Sequence, residues 1–130
     1  MSVLGERLAR AFAGRRVLQL GGGAQWSASY AGRAAEVTVH EGLDALPDFG
    51  RRHDAVFVPE AWSRLPAERL DALLGRAVAA AAPGALVAFL DRRESAPPES
   101  ELIRRASRHG WGANVELMPG YWLLTWWAAR

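Results

Sequence analysis

Apolar residues follow two spacings along the chain. Over residues 2–14, Leu4, Leu8 and Phe12 recur at every fourth position among charged neighbours, the period of an amphipathic helix that Gly14 ends. The period then collapses into a continuous run, "VLQL" at 17–20, which predicts a strand. Residues 24–31 return to helical spacing, with Trp26 and Tyr30 one turn apart and Gly32 as the stop. "EVTVH" at 36–40 alternates as a second strand, and 42–52 is rich in turn formers. "AVFV" at 55–58 is apolar throughout, as a strand covered on both faces should be. Pro66 opens the clearest helix, 66–82, along which Leu70, Leu74, Ala77 and Ala81 form one stripe before Pro83-Gly84 ends it. "ALVAFL" at 85–90 predicts another buried strand. A loop over 91–97 leads to a helix from Pro98, with Glu99 and Glu101 in its first turn and Arg104, Arg105, Arg108 and His109 toward its end. That charge order suits the helix dipole.

Two last strands, 113–118 and 121–128, are joined by Pro119-Gly120 and so form an antiparallel pair. Both faces of "YWLLTWWA" are apolar, which places that strand inside the sheet. Strands alternating with helices and closed by a hairpin predict one α/β domain over 1–130. Its expected form is a three-layer sandwich on a mostly parallel sheet of about six strands, with a C-terminal antiparallel hairpin.

Composition narrows the chemistry. The 130 residues suffice for one domain with a proper core. There is no cysteine, which excludes disulfides, zinc thiolates and cysteine nucleophiles. All 16 basic residues other than histidine are arginine, so a Schiff base and a lysine general base are excluded too. The net charge is only +2, and the sequence pI of about 9.9 follows from arginine's high pKa. Nucleic-acid binding would rest on that pI alone, and it is not expected. No run is long enough to span a bilayer and nothing resembles a signal peptide, so a cytoplasmic protein is expected.

The stretch "RVLQLGGGAQWSASY" at 16–30 carries the most specific signal: a strand, three glycines, then a short helix. Glycines there can take positive φ and let a ligand approach the backbone at the end of a parallel strand, where ligands bind in open α/β sheets. Glu41 follows Gly21 by 20 residues at the end of the next strand, where a carboxylate can accept hydrogen bonds from both ribose hydroxyls. For the dinucleotide pattern G-x-G-x-x-G/A, Gly21 and Gly23 match but the third position is Trp26. An indole cannot let helix and strand pack closely, which counts against NAD.

The same stretch resembles motif I of class I S-adenosylmethionine-dependent methyltransferases, through Val17, Leu18, Gln19, Leu20, Gly21, Gly22, Gly23, Ala24 and Gln25. "HDAVFVPEAW" is similar to that family's fourth strand and following loop, and "LLGRAVAAAAPGALVAFLDRR" to its next helix, proline-glycine turn and fifth strand. The closing hairpin is similar to its antiparallel last strand. The resemblance runs from about Val17 to the end. It implies S-adenosylmethionine as cofactor, with Gln19, Gly21, Gly22 and Gly23 at the methionine end, Glu41 at the ribose and Asp44 at the adenine. There are departures. The acidic residue before the turn is Gln19, the third glycine is Gln25, and the short span from Gly21 to Asp54 implies that one helix-strand unit of the core is missing. Residues 36–40 can be aligned as the family's second strand or its third, and the third would leave Glu41 without a ribose role.

Glu60 and His53 are the candidate general bases, with His40 a similar case, against plain surface or turn positions. Trp62 and Trp26 are candidate aromatic surfaces for the acceptor, against simple core packing. "VPEAW" lacks the Asn/Asp-Pro-Pro-Tyr signature of methylation on amide or amino nitrogen. No metal ligand set is expected. The resemblance thus implies a small methyltransferase acting on an oxygen or carbon of a small-molecule acceptor, in a bacterial biosynthetic pathway. No covering domain of the kind many family members add is expected within these 130 residues, so a second copy or a partner protein is expected to close the site. Trp122, Trp126 and Trp127 are more aromatic than so small a core needs and favour a homodimer. The alternative is a non-catalytic protein of the same fold, serving as a partner subunit or binding module.

Overall fold

The computed structural model describes residues 2–129. The chain forms α1 (Val3–Phe12), β1 (Arg16–Leu20), α2 (Ala24–Ser27), β2 (Glu36–His40), β3 (His53–Pro59), α3 (Ala67–Ala80), β4 (Ala81–Arg92), α4 (Glu99–Ser107), β5 (Gly110–Met118) and β6 (Tyr121–Ala128). Short 3-10 turns lie at Trp62–Arg64 and Arg93–Ser95. Local chemistry sets the ends. The Ser2 hydroxyl accepts from Gly5 N–H at 3.0 Å and caps α1, a contact worth about 1 kcal/mol. Pro66 stands at the N-cap of α3, where its missing N–H costs nothing. The helix expected over 24–31 is only one turn long, and the chain continues through turns to Arg33.

The sheet runs β2-β1-β3-β4-β6-β5. Its first four strands are parallel, and β6 runs antiparallel between β4 and β5. The interior place expected for the last strand is the one observed. β2 pairs directly with β1, so 36–40 takes the second-strand alignment rather than the third. Among the described residues no strand lies beyond β2, and the loop 41–52 packs Leu43, Leu46 and Phe49 against the core in place of a helix.

Alternation along the strands feeds two cores. One face sets Leu18, Val56, Val87, Phe89 and Leu124 against Leu70, Leu73 and Leu74 of α3 and Leu102 of α4. The other sets Val17, Phe57, Ala88 and Leu123 against Leu8 and Phe12 of α1, with Trp26 and Tyr30. Trp122 and Trp126 are wholly buried in the first core. Each removes roughly 200 Å² from water, a gross gain of about 5 kcal/mol. These two are interior and present no surface to a partner; Trp127 is half-buried, beside the exposed Trp111 on edge strand β5. Among the described residues no helix is long and apolar enough to cross a membrane.

Candidate functional site

After β1 the chain moves to β2 on one side, and then crosses to β3 on the other side of β1. The crevice between the carboxyl ends of β1 and β3 is therefore a topological switch point. A cleft of about 370 Å³ opens there, bordered by Gly21, Gly22, Glu41, Pro59, Glu60 and Arg64 among others. That volume lies at the lower end of the range of small-molecule sites.

The turn is held from below. Gln19, wholly buried, donates from Nε2 to the carbonyls of Gly21 at 2.8 Å and Gly23 at 2.9 Å. Its Oε1 accepts from the Tyr30 hydroxyl at 2.6 Å. Burial pushes the Tyr30 phenol up, so it stays protonated as the donor. Gln19 was expected to contact a cofactor; instead its amide is fully occupied in fixing the glycine turn. An amide suits that task, because a carboxylate cannot donate to two carbonyls. Gly22 has φ +81°, and a Cβ on it would fall 2.3 Å from Pro59 Cγ and 2.9 Å from Trp26 Cδ1. Only glycine fits. Gly23 lies off the cleft beside the Gln25 side chain.

The register places the acid. Leu20 pairs with His40, and Gly21 N–H donates to His40 O at 2.7 Å, so Glu41 stands next to Gly21 at the cleft. Among the described residues no cation pairs with Glu41, and its side chain is exposed. Asp44 borders the same cleft, but its carboxylate reaches Arg69 at 2.9 Å and is largely solvated. Glu60 sits just past β3 with φ +56°, an unfavourable conformation for a residue with a side chain. Its backbone is pinned there by N–H donation to Leu90 O at 2.7 Å. Its carboxylate is only 18% exposed and stands 3.9 Å from Arg64 and 3.8 Å from Arg92.

Three expected site residues lie elsewhere. His53 begins β3, so it sits at the opposite end of the strand from the cleft, roughly 20 Å away at strand rise. It is buried, with Nε2 at 3.3 Å from Thr38 Oγ1, and cannot serve as a base in the cleft. Trp62 packs edge-on against Phe89 and Trp122 in the core. Trp26 packs edge-on against Phe57 and Tyr121 on the opposite face of the sheet. Neither tryptophan borders the cleft. Both are apolar side chains at elements whose inward face the core claims.

Sequence reasoning passed over Asp91. It is buried at the end of β4 and accepts from Ser63 N–H at 2.9 Å, Ser63 Oγ at 2.8 Å and Arg92 N–H at 2.8 Å. These bonds tie the turn after Glu60 to β4, and so position one wall of the cleft. The available signal was a carboxylate closing the apolar run "ALVAFLD". Among the described residues no cluster of three or more His, Asp or Glu is placed to hold a metal ion.

No family model matches the chain, and no curated protein matches it. Solved structures do. A complex of DhpI with S-adenosylhomocysteine superposes with a TM-score of 0.68 over 96% of this chain and 82% of the other, at 21% identity. The 1,6-didemethyltoxoflavin-N1-methyltransferase of Burkholderia thailandensis, bound to its substrate and S-adenosylhomocysteine, gives 0.74 over 98% and 78%, at 13% identity. The chain has the class I methyltransferase fold. Human N-acetylserotonin methyltransferase with S-adenosylmethionine gives 0.68 at 12% identity; 98% of this chain matches 52% of that one. The chain spans little more than half the length of several such methyltransferases.

Proposed function

We propose that this methyltransferase-fold chain binds S-adenosylmethionine in the cleft between β1 and β3 and methylates an oxygen or carbon of a small-molecule acceptor. The observation that carries the reading is Glu41: a carboxylate with no cation partner among the described residues, beside Gly21, at the switch point, on the border of an open cleft. The residues present fit the cofactor. Gly21 borders the cleft at φ +80°, a conformation that favours glycine, so backbone alone lines the floor there. Neither Trp26 nor Gln25 obstructs it. Glu41 would hold the ribose hydroxyls, Gly21 and Gly22 would line the methionine end, and Asp44 lies within reach of the adenine side. When bound, S-adenosylmethionine supplies an electrophilic methyl group on a sulfonium. The protein's part is placement of the acceptor nucleophile, which can supply much of the rate. Among the described residues Glu60 is the only carboxylate on the β3 side of the cleft, and it would accept the proton of an un-ionised acceptor. Closure against water falls to a second copy of the chain or a partner protein, and sedimentation at micromolar concentration tests the former. A biosynthetic role in a bacterium belongs to the same proposal.

The deciding experiment is calorimetric titration with S-adenosylmethionine and S-adenosylhomocysteine. Micromolar binding is expected. Glu41→Ala should weaken it by about 10–100-fold, the worth of hydrogen bonds to a charged acceptor, without altering the urea midpoint. Absence of binding at millimolar concentration overturns the reading. It would favour the non-catalytic alternative, which one observation supports: Gln19 is turned inward, leaving no carboxylate before the turn to meet the cofactor's ammonium.

A further inference from the structure

We infer that the acceptor carries an oxyanion, of the carboxylate or phosphate class, gripped at the cleft mouth by Arg64 and Arg92 on either side of Glu60; as a statement about the acceptor, this rests on the proposed function. The two arginines are loosely paired, as Arg104 and Arg108 are on α4, but these two converge on one carboxylate beside the cleft. Arg7, Arg16 and Arg105 bond their carboxylates at 2.7, 3.0 and 2.7 Å. Arg64 and Arg92 approach Glu60 only to 3.9 and 3.8 Å, beyond hydrogen-bond reach, and neither guanidinium donates to any other described residue. Both are accessible, with side chains 74% and 58% exposed.

Position adds to this. Arg64 borders the cleft, and Arg92 ends β4, the neighbour of β3 on the side away from Glu41. The cleft is thus polarised. Its β2 side presents Glu41 and Asp44 and its β3 side Glu60 and Arg64, while Arg92 stands just beyond that lining, 3.8 Å from Glu60. An acceptor entering beside Glu60 meets two guanidiniums against that one carboxylate, planar forks of N–H donors that have no hydrogen-bond partner among the described residues and can recognise carboxylate and phosphate oxygens. The Arg92 guanidinium also lies 5.9 Å from the centre of the Tyr121 ring, which limits its swing and offers an aromatic surface to the body of such a ligand. The Glu60 carboxylate lies within 4 Å of both guanidiniums without hydrogen-bonding to either, so it stays available to the nucleophile.

The test uses phenyl phosphate, benzoate and neutral benzyl alcohol as probes, titrated into the protein with and without saturating S-adenosylhomocysteine. Saturable binding of at least one anion and none of the alcohol is expected; the preferred anion tells the tetrahedral from the planar class. Arg64→Gln and Arg92→Gln should each weaken it by about tenfold. Arg104→Gln, on the distant α4, should leave it unchanged. Anion binding that survives the double variant, or its absence from protein shown to bind S-adenosylhomocysteine, overturns the inference and leaves the cofactor reading standing. Arginine-dependent anion binding by protein that does not take S-adenosylhomocysteine keeps the oxyanion site and removes the methyltransferase reading.

Discussion

The two ends of the parallel strands are built from the same residue types and differ in how completely those residues are paired. At the amino ends, Arg16 holds both carboxylate oxygens of Asp54 at 3.0 and 3.1 Å, Arg52 meets Glu36 at 2.7 Å, and His53 is buried. Arg16 holds the Asp54 carboxyl below the usual range. At the carboxyl ends, Glu41 has no described partner, Glu60 stands out of bonding distance of two arginines in a strained conformation, and Gln19 is committed to holding a turn open. A saturated ion pair contributes a little stability and nothing else. Groups kept unpaired, or kept in strain, are available to a ligand. Under the proposed function, Glu41 and Glu60 are the charges left for a ligand, while the paired charges at the amino ends are structural.

The strongest way to break the contrast is to fill the turn. Gly22→Ala must carry a Cβ at φ +81° into Pro59 and Trp26, and should lower stability by about 3 kcal/mol, read as a urea midpoint. An unchanged midpoint would mean that the turn is free to shift and the cleft is not preformed. Gln19→Glu is next. It replaces two N–H donors with oxygens facing the carbonyls of Gly21 and Gly23, at a cost of about 2 kcal/mol at neutral pH. Acidification should recover part of that loss as the carboxyl is protonated. A variant as stable as the parent would show that the turn tolerates an acid and that Gln19 is no departure of consequence. Smaller, and opposite in sign, is Glu60→Gly. It relieves the positive φ and should raise stability by about 1 kcal/mol while weakening any ligand held beside β3. A loss of stability would make Glu60 structural and erase the difference between the ends.

The strands, the hairpin and the interior place of β6 were legible in the sequence because burial on both faces leaves continuous apolar runs such as "AVFV" and "YWLLTWWA". The length of α2 was not. Trp26 and Tyr30 share a face at helical spacing, yet Tyr30 reaches the core and Gln19 from a turn. Among the candidate site residues, Gly21 and Glu41 could be placed because strand register fixes backbone neighbours. Trp62 could not, because the apolar pattern does not say that the core claims it; His53 could have been set aside, since the strand expected at 55–58 already leaves it at the amino end. Gln19 reads as a lost acid in a motif, whereas the structure shows an amide whose three hydrogen bonds all serve the turn.

The finest test lies at the amino ends, where His53 is buried with its Nδ1 left without a hydrogen-bond partner among the described residues. Burial first, and then the charge of Arg52, hold His53 below the ordinary imidazole value; Glu36 at 3.9 Å and Asp54 oppose them. The unfolded chain takes up that proton near pH 6.5, before the folded chain does. Stability attached to His53 is therefore complete above about pH 6.5 and is lost as pH falls from there toward the lower folded value, with a slope of at most ~1.4 kcal/mol per pH unit. His109, also held low by burial, adds in the same direction, whereas Asp54 and Glu116 are held low by arginines and act only in the carboxylate range below about pH 4.5. Urea midpoints at pH 7.5 and 5.5 should fall further in the parent than in His53→Gln, and the difference isolates His53 from His109. Parallel falls would mean that His53 is protonated in the folded chain without cost, and that the amino ends of the strands are less sealed than their ion pairs imply.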